Sequence, residues 1–179
     1  MKLDATPQGK PIYEKVGFVS EYEIERWMLQ RPASGVKLRS SAAAVAVEIL
    51  ELDHEVFGAD RGSLLQSLTA EAPDFALMKF QQGRIAGYAF GRRGSRADHL
   101  GPWVARDEGI ARELLDEFLS RSVRESVFVD CVRSNPWAAP MLAERSFEFS
   151  RQLTRMFRGA NAYPGRRDLV CAILGPEFG

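Results

Sequence analysis

Residues Arg106 to Ala111 read Arg-Asp-Glu-Gly-Ile-Ala, a basic side chain three positions before a glycine with a small residue two further on. The segment joins an apolar stretch ending at Ala105 to an amphipathic one opening near Gly109, so it is predicted to be a strand-to-helix turn. Such a turn suits a phosphate. The first amides of a helix lack carbonyl partners, the helix dipole adds partial positive charge, and Gly109 has no Cβ to hold an anion away. Arg106 can add a charge-assisted bond, and small Ala111 lets the helix lie close to a neighbouring strand. Asp107 and Glu108 suit a bare helix start but would repel an anion that they faced, so their side chains are expected to point outward. The same spacing recurs at Arg84, Gly87 and Ala89. That copy falls inside a predicted hairpin strand, whose amides go to ladder bonds and which no helix follows, so its context rejects it.

Other side chains could do proton chemistry. Asp130 sits in the apolar run VFVDCV, and Asp98 and His99 just precede LGPWVA, where a base could face an amine. Each also has a plain structural reading, Asp130 as a hydrogen-bonded buried carboxylate and His99 as a loop residue. Asn135 can cap a helix, bond a ligand, or both. Trp103 and Trp137 could line an acceptor pocket or simply pack. Arg92, Arg93 and Arg96 make a small basic loop, and His54 lies on a helix. Cys131 and Cys171 lie in apolar runs with no adjacent histidine, which reads as buried reduced thiols rather than a nucleophile, a disulfide or a metal site.

The 179 residues suffice for one ordinary domain, and 45% hydrophobic against 27% charged residues excludes an extended disordered chain. Lys plus Arg is 24 and Asp plus Glu is 24, so no overall field draws the chain to nucleic acid or anionic lipid. No apolar run approaches the roughly 20 residues of a membrane helix, and MKLDATPQGK is no signal peptide. A cytoplasmic location, with no nucleic-acid or membrane partner, is the expectation.

The elements that must hold these residues follow from periodicity. VKLRS (36–40) reads as a short strand. Ala42 to Phe57 reads as an amphipathic helix stopped by Gly58, and a second helix capped by Asp60 runs through Leu68 and closes at Pro73. Phe75 to Phe80 and Ile85 to Phe90 form a hairpin about Gln82-Gly83. LGPWVA is a strand in which Pro102, lacking an amide hydrogen, marks a bulge or free edge. Ile110, Leu114, Leu115 and Phe118 stripe the following helix. Strand VFVDCV, a helix over Pro136 to Arg145 capped by Asn135, and strands near Phe149 to Phe157 and Leu169 to Leu174 complete a mixed sheet flanked by helices.

A partial repeat precedes this domain. Moving residues 1 to 27 forward by 129 positions lays Pro7 on Pro136, Pro11 on Pro140, Phe18 on Phe147, Ile24 on Leu153 and Arg26 on Arg155. Residues 1–28 are therefore expected to be the tail, a helix and a strand, of an incomplete first copy, with Gln30 to Gly35 as linker and 36–179 as the complete domain. The apolar side chains of that tail need cover, on their own sheet or on a second chain; a homodimer is predicted.

With Arg106, Gly109 and Ala111 matching its pyrophosphate-loop signature, the chain from about Val36 to Leu174 resembles the GNAT superfamily of N-acetyltransferases. FGADR (57–61), LGPWVA and the ending GPEFG resemble the C-terminal domain of tandem members, and LDATPQGKPIYEKVGF the end of an N-terminal one. The resemblance implies a three-layer α/β fold with a mixed, mainly antiparallel central sheet. It implies acetyl-CoA as co-substrate, with its pantetheine arm laid between the splayed LGPWVA and VFVDCV strands and its acetyl group passed directly to the primary amine of a small molecule. The cofactor-binding set would be Trp103, Val104, Ala105, Arg106, Asp107, Glu108, Gly109, Ile110, Ala111, Arg112 and Asn135, with an amide of Trp103 or Val104 facing the acetyl carbonyl. Asp130 and His99 would be the candidate catalytic groups, and no metal is called for. Many members use a tyrosine of the last helix as proton donor to the thiolate. The partial copy has it at Tyr13, whereas the complete copy has Leu142, and Ser146 where the partial copy has Gly17. A non-catalytic acyl-CoA-binding or structural module is the alternative that this departure favours.

Overall fold

The computed structural model describes residues 1–32 and 44–176. Thirteen elements run in the order β1 (Lys2–Ala5), α1 (Lys10–Lys15), β2 (Val19–Gln30), α2 (Val47–Phe57), α3 (Gly62–Glu71), β3 (Leu77–Gln81), β4 (Arg84–Arg93), β5 (Ala97–Ala105), α4 (Glu108–Arg121), β6 (Ser126–Val132), α5 (Ala138–Glu144), β7 (Glu148–Phe157) and β8 (Val170–Ala172). The strand expected at 36–40 lies outside the described residues. The helix expected from Ala42 begins, within them, at Val47, and Phe75 belongs to a 3₁₀ turn rather than to the hairpin.

One eight-stranded sheet has the order β1-β7-β2-β6-β8-β5-β4-β3, antiparallel throughout except where β5 runs parallel to β6. Helices cover both faces. The α4 stripe Ile110, Leu114, Leu115 and Phe118 and the α5 residues Met141 and Leu142 share one core with Leu100, Trp103 and Val129. Ile49, Leu52 and Val56 of α2 and Leu65 and Leu68 of α3 pack on the other face over Tyr88, Phe90 and Val104. The period-2 pattern of the strands thus sends alternate residues to two separate cores. Gly58 stops α2 in the left-handed conformation, φ 85°, and its amide donates to His54 O at 2.9 Å. At Gly101-Pro102 the β4–β5 ladder loses register, so Pro102 sits in the bulge expected of it.

Residues 1–30 are part of this sheet. Strand β2 lies between β7 and β6, and β1 forms the edge beyond β7. The two helix–strand segments correspond closely at the 129-residue offset. There α1 (10–15) maps to 139–144 against an observed α5 of 138–144, and β2 (19–30) maps to 148–159 against β7 of 148–157. The helix ends match bond for bond: Phe18 N donates to Tyr13 O, and Phe147 N to Leu142 O, both at 3.0 Å. Gly17 and Ser146 share a positive φ, 87° and 60°. The partners cross over: β1 pairs with β7 and β6 with β2, so the arginines of the repeat meet opposite aspartates, Arg155 on Asp4 and Arg26 on Asp130.

Candidate functional site

The Arg106 turn is a strand-to-helix turn, and several of its polar groups are already committed. Asp107 takes the N-cap position of α4, and its Oδ1 accepts from the Ile110 amide at 2.9 Å. The expectation that Asp107 points outward is therefore corrected: its carboxylate folds back over the helix start, where an anionic ligand would compete with it. The Arg106 amide donates to Ala86 O at 2.9 Å, and its guanidinium is held by Glu55 at 2.6 and 3.3 Å. Glu108 does lie outward, paired with Arg112 at 3.1 Å, which also reaches Glu144 at 2.6 Å. Ala105, Ile110 and Ala111 are buried beneath the helix. The close helix–strand approach is made by Gly87, the glycine of the rejected match: a Cβ there would lie 2.6 Å from the Ile110 side chain.

The splay between β5 and β6 exists and is filled. The two strands pair from Ala97/Ser126 to Leu100/Val129, and beyond that point β8 lies between them. Ala172 pairs with both Trp103 and Cys131, Val170 with Val104, and the Ile173 amide donates to Asp130 O at 2.9 Å. The Trp103 and Val104 backbone thus faces a protein strand where the pantetheine arm was expected. Gly101, with φ 153°, permits this: a Cβ on it would stand 2.0 Å from Ile173 O. The Trp103 side chain is buried in the core shared with α4 rather than flanking an acceptor cleft.

The two proposed catalytic groups do come together. Asp130 is fully buried and accepts both Nε and Nη2 of Arg26 at 2.7 Å, while His99 Nε2 stands 3.0 Å from Asp130 Oδ2, out of line for a well-formed hydrogen bond. Burial alone would raise the Asp130 pKa, but the Arg26 bonds and His99 outweigh it and hold the carboxyl at about 2. Arg92 Nη2 lies 3.0 Å from His99 Nδ1. A guanidinium only donates, so Nδ1 is the acceptor and the ring proton of the neutral imidazole sits on Nε2, toward Asp130. Both ring nitrogens therefore face protein, and the cluster is built as an interior charge network.

The remaining candidates separate. Asn135 Oδ1 accepts from the Trp137 and Ala138 amides, each at 3.0 Å, and its Nδ2 donates to Asp168 O at 3.3 Å. Its side chain closes the turn that leads into α5, two residues before the N-cap Trp137, and Asn135→Ala is expected to lower stability by about 1 kcal/mol, measured by urea unfolding. Asp98 is buried on Ser122, 2.8 Å away, and burial raises its pKa. Arg93 binds Asp74 at 2.6 Å and lies over Phe75. Cys131 and Cys171 are free and buried; burial pushes the Cys131 thiol up to about 12 and that of Cys171 up as well.

Residue-by-residue reasoning did not anticipate three ion pairs. Besides Arg26–Asp130 and Arg155–Asp4, Arg61 of FGADR chelates buried Asp53, which also accepts from the Tyr88 hydroxyl. The signal was present as single charges of opposite sign inside apolar strands and helices, in EIERWML and VFVDCV for example.

The sheet is thus mixed, with one parallel pair, β5 and β6, that diverges around β8, and a strand-to-helix turn leads from β5 into the long helix α4. The chain belongs to the acetyltransferase (GNAT) domain family, whose model matches residues 49–172. It is 26% identical over 120 residues to the uncharacterized N-acetyltransferase YitH of Bacillus subtilis, spanning 64% of this chain and 43% of YitH. A Pyrococcus horikoshii protein provisionally named an acetyltransferase shares the fold, with a TM-score of 0.73 and 24% identity over 97% of this chain and 58% of that one. So does a GCN5-related N-acetyltransferase from Sphaerobacter thermophilus, with a TM-score of 0.57 and 17% identity over 87% of this chain and 58% of its own. The chain thus spans about half the length of these relatives.

Proposed function

We propose that this chain serves an acetyl-CoA-dependent N-acetyltransferase acting on the primary amine of a small molecule, and that it contributes through β1, α1 and β2 rather than through the Arg106 turn. The observation that carries this is β8 in the β5–β6 splay, which takes the ladder positions a pantetheine arm needs. The Asp107 carboxylate at the helix start acts in the same direction.

The other half of the pseudo-symmetric pair supports the reassignment. Ile12 and Tyr13 correspond to Met141 and Leu142, which are 1% and 0% exposed, yet Ile12 is 65% exposed and α1 contains no buried residue. Among the described residues the α1 face has no cover like that which α4 and β6 give α5. In this proposal a second unit of the same kind, on a longer polypeptide, extends the sheet from β1 and covers α1; YitH, of which this chain spans 43%, has room for one. Tyr13, held edge-on against Phe18 with ring centroids 5.7 Å apart, then faces the transferred group. The neutral amine attacks the thioester carbonyl, the C–S bond breaks, Tyr13 gives its proton to the leaving sulfur, and the amine's surplus proton returns through solvent.

Steady-state kinetics of the longer protein test this. Tyr13→Phe is expected to lower kcat by about 10²-fold with the melting temperature unchanged, and Gly109→Glu to leave kcat and KM unaltered. Loss of turnover in Gly109→Glu with an unaffected Tyr13→Phe would overturn the assignment.

A further inference from the structure

A cavity of about 70 Å³ opens on the α2–α3 side of the sheet, between the end of α2, residues 163–165, and strands β5 and β8. Pro102, Val104, Val170, Ile173 and Leu64 give it apolar lining. Lys2, Arg61, Arg155 and Arg167 line it, and among the described residues no carboxylate does. The acids that balance three of them stand behind: Glu21 takes Lys2, 3.0 Å away. Asp53 takes Nε and Nη2 of Arg61, and Asp4 takes Nε and Nη2 of Arg155. Nη1 of each arginine has no hydrogen-bond partner among the described residues.

Arg155 is the more deeply set, its side chain 4% exposed. Its guanidinium and that of Arg167 both lie 5.6 Å from the Tyr22 ring. Burial raises the Tyr22 pKa, so its hydroxyl stays a donor at neutral pH. At the Tyr22 end of the cavity the Tyr22 hydroxyl and Nη1 of Arg155 keep unspent donor capacity beside carboxylates that are already paired, Glu21 with Lys2 and Asp4 with Arg155, next to apolar walls. Donors of that kind are matched by an anion, and the walls by a hydrocarbon body. The volume, against about 150 Å³ for a cavity that holds benzene, limits that body to a short chain.

We propose that this cavity binds a small aliphatic carboxylate, its head at Arg155, Tyr22 and Arg167 and its chain against Pro102, Val104 and Ile173. The site shares β1 and β2 with the elements proposed above for acetyl transfer, through Lys2 and Tyr22, but uses neither the Arg106 turn nor α1.

Propanoate is the probe, with propan-1-ol and propylamine as controls, followed by methyl NMR of the chain. Propanoate is expected to shift the Val104 and Ile173 methyls saturably, and the alcohol and amine to leave them in place. Arg167→Ala, an exposed change that spares the fold, should weaken propanoate by about fivefold or more. Leu64→Trp, which adds bulk to the apolar lining, should abolish the shifts at an unchanged melting temperature. Equal binding of the alcohol, unchanged propanoate binding in folded Leu64→Trp, or no saturable shift in the wild-type chain would each overturn the proposal.

Discussion

Asp130→Ala is expected to destabilise the fold by about 3 to 5 kcal/mol, because it removes the buried carboxylate that accepts from both Nε and Nη2 of the mostly buried Arg26. For a chain of this size that corresponds to a fall in melting temperature of roughly 6 to 20 °C. The same carboxylate gives the fold an acid limit. Its pKa is lowered on folding from 3.8 to about 2, so the stabilisation is complete above the unfolded value near 4 and is lost as the pH drops through about 2. The loss is about 2 kcal/mol between pH 5 and 2. Denaturant titrations across that range should show it in the wild type and not in Asp130→Asn. A flat profile in the wild type, or a melting temperature unmoved in Asp130→Ala, would show that the pair does not hold the β2–β6 junction together.

Gly101→Ala should be nearly as costly, about 3 kcal/mol or more, because the new Cβ would meet the Ile173 carbonyl oxygen at 2.0 Å on a backbone that side chains rarely adopt. The strain falls on β8, which is only three residues long. Hydrogen exchange reports it directly: the Ile173 amide, bonded to Asp130 O in the wild type, should lose protection in the variant before the amides of β6 do. Wild-type protection at Ile173 would mean that β8 does not depend on the missing side chain at Gly101.

Much of the architecture could be read from side-chain patterning. The α4 stripe, the hairpin about Gln82-Gly83, the Pro102 bulge and the Asn135 turn each depend on residues close in sequence, where periodicity, capping and turn chemistry act. The helix-then-strand order within residues 1–28 could be read from the offset for the same reason. What local pattern could not supply was which strand lies beside which. Val170 to Ala172 reads as a buried strand wherever it is placed, and nothing in those residues tells a position outside β6 from one inside the β5–β6 splay. Asp107 posed a similar ambiguity, since an acidic residue before a helix suits both an outward rotamer and a cap, and only the three-dimensional turn decides. The partners of Asp130 and Arg155, more than a hundred and fifty residues away in the second case, are long-range pairings that the crossed arrangement of β1 and β2 creates.

The closed splay is tested most directly by titrating this chain, folded and unmodified, with acetyl-CoA in a calorimeter and a melting assay. With β8 in the track and Asp107 on the helix start, no saturable heat and no stabilisation are predicted. An open site filled at 100 times its dissociation constant would add about 2.7 kcal/mol, roughly 5 to 11 °C of melting temperature. Stoichiometric binding of that kind, abolished by Gly109→Glu, would contradict the account.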